Sequence, residues 1–307
     1  MNTTPQLTGE EPAGRLRRLI ERDEIARAIG AHTPLSAVLA EEVGFDVVWA
    51  SGLEISAAAA VPDANILSLN EVLATGAAMA NAVTIPVLAD CDSGFGNVNN
   101  VAYLVRAYEQ RGVAGICIED KLYPKLNSFV PGTQELAPIE DFAAKIAAAV
   151  DNRRSLVVVA RLESLIAGEG IEDALLRAHV YESAGADALL IHSRLAIPDE
   201  VFEFRRRYRG QLPVIVVPTT YNQVTAVELE ARGFGMAIYA NQALRSSISA
   251  MRSTLTRIYE DGTSHFVEDG IASVKDVFRL QRQDEMLAAQ DRYELEGRLI
   301  TEIGVKR

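Results

Sequence analysis

Three stretches carry side chains that could hold a cation and an anion in one place. In "ADCDSGFGN", residues 89–97, two carboxylates, Asp90 and Asp92, stand two residues apart. In an extended strand that spacing turns both to one face and sends Cys91 to the other, where it reads as a core residue. Carboxylates side by side repel unless a cation lies between them. Glu119 ends another apolar run, "AGICIED" (114–120). Three such acids would form an all-oxygen donor set, suited to Mg²⁺ or Mn²⁺ and not to zinc. An exposed turn whose aspartates cap the next helix is the structural alternative, and it accounts for Asp92 better than for all three.

Cations stand close by in sequence. Arg161 ends "SLVVVARL" (155–162), a run too apolar for an idle charge. It could clamp a carboxylate or phosphate with two parallel hydrogen bonds, or pair with Glu163 inside the protein. His192 ends "ADALLIHS" (186–193), as a ligand contact or as a satisfied core histidine. Asp63, in "VPDANILSLNE", sits in a turn ahead of a helix capped by Ser68 or Asn70. The segment from Lys121 to Pro138 holds three prolines and Gly132 with little periodicity, and is expected to be a lid.

These residues need a scaffold that brings them together. Short, continuously apolar runs at 26–32, 46–51, 85–91, 114–120, 155–162, 186–193, 213–219 and 235–241 alternate with amphipathic helical patterns. Such runs suit parallel strands covered on both faces. Eight strand-helix units over about 250 residues predict a closed (β/α)₈ TIM-type barrel, with an open doubly wound sheet as the competing fold. Barrel enzymes work at the C-terminal ends of their strands, and those ends carry His32, Ser51, Gly52, Leu53, the acids above, Arg161, His192, Thr219 and Asn241. Residues 18–307 are expected to form one domain. Residues 1–17, polar and with two prolines, read as a flexible tail without the apolar core of a signal peptide. A further helix is expected at 271–292, whose Val274, Val277, Phe278 and Leu280 must bury somewhere, on this barrel or on a second subunit.

Composition narrows the function classes. A net charge of -12 over 307 residues disfavours nucleic acid and anionic membranes as partners. No apolar run approaches the roughly 20 residues needed to span a bilayer. Cys91 and Cys117 give no disulfide framework or zinc spacing, which fits a reducing cytoplasm.

From about Arg18 to Tyr293 the chain resembles the phosphoenolpyruvate mutase/isocitrate lyase superfamily. The resemblance rests on Glu119-Asp120-Lys121 followed by "LYPKL" and Asn127-Ser128, with "SGL" at 51–53, the D-x-D-x-GFGN stretch at 90–97, "VAR" at 159–161, "GADALLIHS" at 185–193 and "SVKDVFRLQ" at 273–281. The lyases of this superfamily carry a cysteine in a K-[KR]-C-G-H loop; here that loop reads Lys125-Leu126-Asn127-Ser128. The resemblance therefore implies the mutase branch, which interconverts phosphoenolpyruvate and phosphonopyruvate. Phosphonopyruvate hydrolase is the alternative, because residues 51–65 resemble that enzyme as closely. It further implies Mg²⁺, for which Mn²⁺ could substitute, bound directly by Asp90 and through water by Asp63, Asp92 and Glu119. Ser51, Gly52, Leu53 and Arg161 would bind the pyruvate portion, and His192, Lys125, Asn127 and Ser128 the phosphoryl group. Asp63, Lys125, Asn127, Arg161 and His192 are the residues expected at the reacting atoms. The implied assembly is a homotetramer, a dimer of dimers that exchange the C-terminal helix.

Overall fold

The computed structural model describes residues 11–130 and 134–305, and the chain divides into two compact units, Met1–Ser246 and Ser247–Arg307. The first unit opens with α1 (Pro12–Glu21), β1 (Ala26–Ala31), α2 (Pro34–Val43), β2 (Val47–Ala50), α3 (Gly52–Ala58) and α4 (Leu69–Ala82). There follow β3 (Val87–Asp90), α5 (Val98–Glu109), β4 (Gly115–Glu119), α6 (Ile139–Asn152) and β5 (Val157–Leu162). The last turns of the barrel comprise α7 (Ser164–Ala167), α8 (Gly170–Ser183), β6 (Ala188–Ile191), α9 (Asp199–Arg207), β7 (Val214–Val216), α10 (Ala226–Ala231) and β8 (Met236–Tyr239). α11 (Gln242–Asp261) begins in this unit.

All eight strands are parallel, and β1 pairs with β8, so the sheet closes into the barrel expected from the sequence. Along each strand alternate residues join two different apolar clusters. Val48, Ala89, Ile116, Val158 and Leu189 pack outward on the helices, while Val47, Leu88, Cys117, Val159 and Leu190 fill the interior. Burial on both faces explains why these strands read as unbroken apolar runs. Cys91 and Cys117 are free, buried thiols, pushed well up by burial.

Residues 12–17, expected as the end of a flexible tail, form the first half of α1 instead. Pro12 stands at the helix start, where its missing N–H costs nothing and its fixed φ suits the first turn. Leu16 and Ile20 from α1 pack into the interior cluster at the bottom of the barrel. The fit there is tight: a Cβ on Gly115 would lie 2.8 Å from Leu16 Cδ2, and one on Gly235 would lie 2.5 Å from the Ile20 carbonyl oxygen. Residues 1–10 of the expected tail lie outside the described residues.

The second unit holds the rest of α11, a 3₁₀ turn at Glu268–Gly270, α12 (Val274–Leu280) and α13 (Gln283–Val305). The single helix expected over 271–292 is thus two helices, broken where Arg282 takes a left-handed φ of 55°. Within this unit Arg257 lies over the Phe266 ring. Met251, Leu255, Tyr259, Val274, Val277 and Phe278 are exposed.

Candidate active site

The polar residues at the strand ends meet at the C-terminal mouth of the barrel. After β2, the Ser51 hydroxyl accepts the Glu54 N–H and caps α3, so the helix N-terminus faces the mouth. There the Gly52 N–H donates to Asp90 Oδ2 at 3.3 Å. A Cβ on Gly52 would lie 3.2 Å from that oxygen, so glycine is what lets the backbone approach.

β3 stops at Asp90, and Asp92 sits beyond it in a left-handed turn with φ 49°. The pair therefore does not share one strand face, as its spacing suggested. Both acids still reach the same place, because the Asp92 N–H donates back to Asp90 Oδ1 and turns the loop inward. Asn65, also at positive φ, donates to Asp92 Oδ2 at 2.7 Å and accepts the Lys125 N–H at 2.6 Å. The sequence gives no role to Asn65, although an asparagine in a Pro-Asp turn is the signal that could find it.

The cation between Asp63 and Asp92 is Lys125. Its Nζ lies 2.6 Å from Asp63 Oδ1 and 3.0 Å from Asp92 Oδ1. Burial alone would lower the Lys125 pKa, but Asp92, Glu119, Asp63 and Asp90 more than reverse it and hold it raised. Asp63 also accepts from Asn127 Nδ2 at 2.6 Å on its other oxygen, and these bonds outweigh burial to keep its pKa low. Burial pushes Asp90 up, and pushes Asp92 up to about 7, with the neighbouring carboxylates adding to both shifts.

A second cluster is centred on Glu163, which the sequence offered only as the structural partner of Arg161. Glu163 Oε1 lies 2.5 Å from Arg161 Nε and 2.9 Å from His192 Nδ1; Oε2 accepts the Ser128 hydroxyl at 2.7 Å. Arg161 also lies 3.3 Å from Glu119 and 2.8 Å, through Nη2, from His192 Nδ1. Both readings of Arg161 thus meet, since it is ion-paired and also lines the pocket. Burial lowers the His192 pKa and Arg161 lowers it further, against the pull of Glu163. Buried among these charges, Glu163 is held well below the usual carboxylate range by Arg161, His192 and Lys121.

Of the residues expected from the sequence, Leu53, Asp63, Asp90, Lys125, Asn127, Ser128, Arg161 and His192 line one pocket. Ser51, Gly52, Asp92 and Glu119 stand behind that lining. Thr219 and Asn241, with Trp49, Phe129, Val217 and Ala240, complete the wall. The pocket has a free volume of about 50 Å³, and Lys125, Asn127, Ser128 and Phe129 of the 121–138 segment line one side of it.

Among the described residues, no three His, Cys, Asp or Glu side chains form a group that could hold a metal ion. The donor chemistry nonetheless suits a hard cation bound mostly through water. The Glu119 Oε1 oxygen is buried without a hydrogen-bond partner. Among the described residues, Asp63, Asp90, Asp92, Glu119 and Glu163 meet three lysine and arginine cations, Lys121, Lys125 and Arg161, an excess of two negative charges if all are ionised. A divalent cation would neutralise that excess.

A parallel barrel that gathers such carboxylates and cations at the C-terminal ends of its strands has the architecture of an enzyme active site. Residues 16–259 match the family model described as phosphoenolpyruvate phosphomutase, and the chain belongs to that family, within the phosphoenolpyruvate mutase/isocitrate lyase superfamily. It is 46% identical to a phosphoenolpyruvate phosphomutase of Tetrahymena pyriformis, over 91% of this chain and 94% of the other. The crystal structure of a phosphoenolpyruvate phosphomutase from Streptomyces platensis subsp. rosaceus superposes with a TM-score of 0.90 at 47% identity, covering 92% of this chain and 99% of that one. A phosphonopyruvate hydrolase, solved as a complex with oxalate and Mg²⁺, superposes at 0.88 with 44% identity and the same coverage. Those identities are too close to separate mutase from hydrolase.

Proposed function

We propose that this protein is a Mg²⁺-dependent mutase that interconverts phosphoenolpyruvate and phosphonopyruvate. The observation that carries this reading is the inward turn of Asn127 and Ser128, which bond Asp63 and Glu163 and close the lid over the pocket. In the reaction the bond from phosphorus to the enol oxygen breaks, a bond from phosphorus to C3 forms, and no proton is gained or lost. A loose phosphoryl transition state calls for positioning and charge stabilisation. It also calls for the exclusion of water, which would otherwise deliver pyruvate and phosphate.

Arg161 and the Ser51-Gly52-Leu53 turn would hold the carboxylate and enolate oxygens. His192, Lys125, Asn127 and Ser128 would steady the migrating phosphoryl group between its two attachment points. Asp90 would hold Mg²⁺ directly, with Asp63, Asp92 and Glu119 reaching it through water; the ion would supply charge neutralisation at the enolate. Asp63 has both oxygens engaged, by Lys125 and Asn127, which suits orienting those groups better than nucleophilic attack. The exposed apolar residues of the second unit favour an oligomer, a tetramer of helix-exchanged dimers. Two buried free thiols fit a reducing, cytoplasmic setting.

The hydrolase reading keeps its standing through the 44% identical hydrolase structure. Phosphorus NMR on phosphonopyruvate mixed with protein and Mg²⁺, with and without EDTA, separates the two. The proposal expects a phosphoenolpyruvate signal that EDTA abolishes. Inorganic phosphate as the sole product would replace it with the hydrolase.

A further inference from the structure

Lys121 touches neither substrate nor metal in the mutase reading, yet it is among the largest fully buried side chains of the protein. Its Nζ donates to the Leu126 carbonyl at 3.0 Å and to Ser128 Oγ at 2.7 Å, and lies 3.2 Å from Glu163 Oε2. An ammonium has three hydrogens, and three acceptors surround this one. Two of the three belong to the lid.

The lid's stems are fixed independently of that grip. The Ala137 N–H donates to the Asp120 carbonyl at 2.8 Å and the Leu122 N–H to the Glu135 carbonyl at 3.0 Å, with Lys121 and Leu136 bridged antiparallel between them. From α8, Arg177 Nη1 donates to Asp120 Oδ2 at 3.2 Å and to the Ala137 carbonyl at 3.0 Å, tying both stems to the barrel. The Tyr181 hydroxyl adds a bond to Asp120 Oδ2 at 3.0 Å. In the gate expected from Lys121 to Pro138, both ends are therefore fixed stem, Lys121 among them, and the described residues that can lift are 123–130. Residues 131–133 of that span lie outside the described residues.

Lys125 and Asn127 also hold the lid down, through Asp63 and Asp92. Those two line the pocket, so an incoming anion competes for them. Lys121 and Leu126 both lie outside the lining, so an anion in the pocket leaves the Lys121 bond to the Leu126 carbonyl in place, even where it meets the Ser128 hydroxyl. We propose that Lys121 is the latch of this lid, a positioning residue that grips the Leu126 carbonyl and the Ser128 hydroxyl from the fixed stem and keeps the pocket dry while substrate reacts. The grip is a matter of geometry alone; its effect on products rests on the mutase reading.

Two readouts keep these apart. The first needs no substrate: chymotryptic nicking after Phe129, under conditions where cleavage follows the open fraction of the lid. Lys121→Met should raise that rate about tenfold, the scale of losing charge-assisted hydrogen bonds, with global melting still cooperative. Ser128→Ala should raise it too, and the double variant should raise it by less than the product of the single effects, because both remove the Lys121–Ser128 bond. Wild-type nicking in a folded Lys121→Met protein, or effects that multiply in the double variant, would overturn the latch. If Lys121→Met does not fold, wild-type nicking in Ser128→Ala overturns it alone.

The second readout is the ratio of pyruvate to phosphoenolpyruvate formed from phosphonopyruvate. A general loss of structure lowers both products together, whereas a leaking latch raises the share of pyruvate. Faster nicking with an unchanged ratio would overturn the link from latch to water exclusion. A wild-type protein that makes no phosphoenolpyruvate refutes the mutase reading while the nicking result still decides the latch.

Discussion

Asn127 joins the lid to Asp63 by one 2.6 Å hydrogen bond and also lines the pocket. Its amide would be one of the few neutral donors at the migrating group. Asn127→Ala is expected to lower turnover roughly a hundredfold, the usual scale for one transition-state donor, with the melting temperature barely moved; near-wild-type turnover would remove Asn127 from the reaction. A different residue governs the pH dependence of stability. Glu54, fully buried on α3, is pushed up to about 7 by burial, against one opposing bond from the Leu244 N–H. The titratable side chain that pairs with it is His32, 3.6 Å away, whose own pKa burial lowers. Because the folded protein holds the Glu54 proton to higher pH than the unfolded chain, its contribution is complete below about 4.5 and is lost as pH rises toward 7. Glu54→Gln should therefore melt higher than wild type at pH 8, by on the order of a few degrees, and equally at pH 4.5. Equal melting at both values would show that Glu54 does not titrate there.

Strands and helices differ in how plainly the sequence announces them. The eight strands are legible because each is buried on both faces, and an apolar run of that length has few other uses. Their polar ends were legible too, since the barrel rule says where to look. What could not be read was which acid meets which cation. Lys125 between Asp63 and Asp92 spans some sixty residues of chain, and that pairing arises only when the lid folds back. The polar, two-proline stretch before Arg18 reads as a flexible tail, although proline at the first helical position favours the helix that α1 is. The break at Arg282 carries no glycine or proline to mark it. The seating of α1 is itself testable through Gly115, whose added methyl would meet Leu16, Val157 and Leu88 at 2.8, 3.0 and 3.1 Å. Gly115→Ala should cost about 1–3 kcal/mol in denaturant unfolding; an unchanged midpoint would mean that α1 can shift at no cost.

At the level of the whole molecule, the second unit leaves Tyr259 90% exposed and Val274 68% exposed, amid several other bare apolar side chains. An apolar set of that extent on a lone chain calls for a cover. Light scattering behind size exclusion should give a mass near four chains, and replacing Val274, Val277 and Phe278 by serine should reduce it. A wild-type monomer at micromolar concentration would end the oligomer proposal.

The plug formed by α1 has a consequence for traffic. With Leu16 and Ile20 on the floor and Val47, Leu88 and Val159 filling the interior above them, the pocket opens toward the C-terminal mouth, under the proposed lid. Reactant and product must use the same doorway in turn, so neither can be drawn through the barrel from one side to the other. Product that lingers blocks the next arrival, and the frequency with which the doorway opens caps the throughput in both directions, however fast the bond exchange inside.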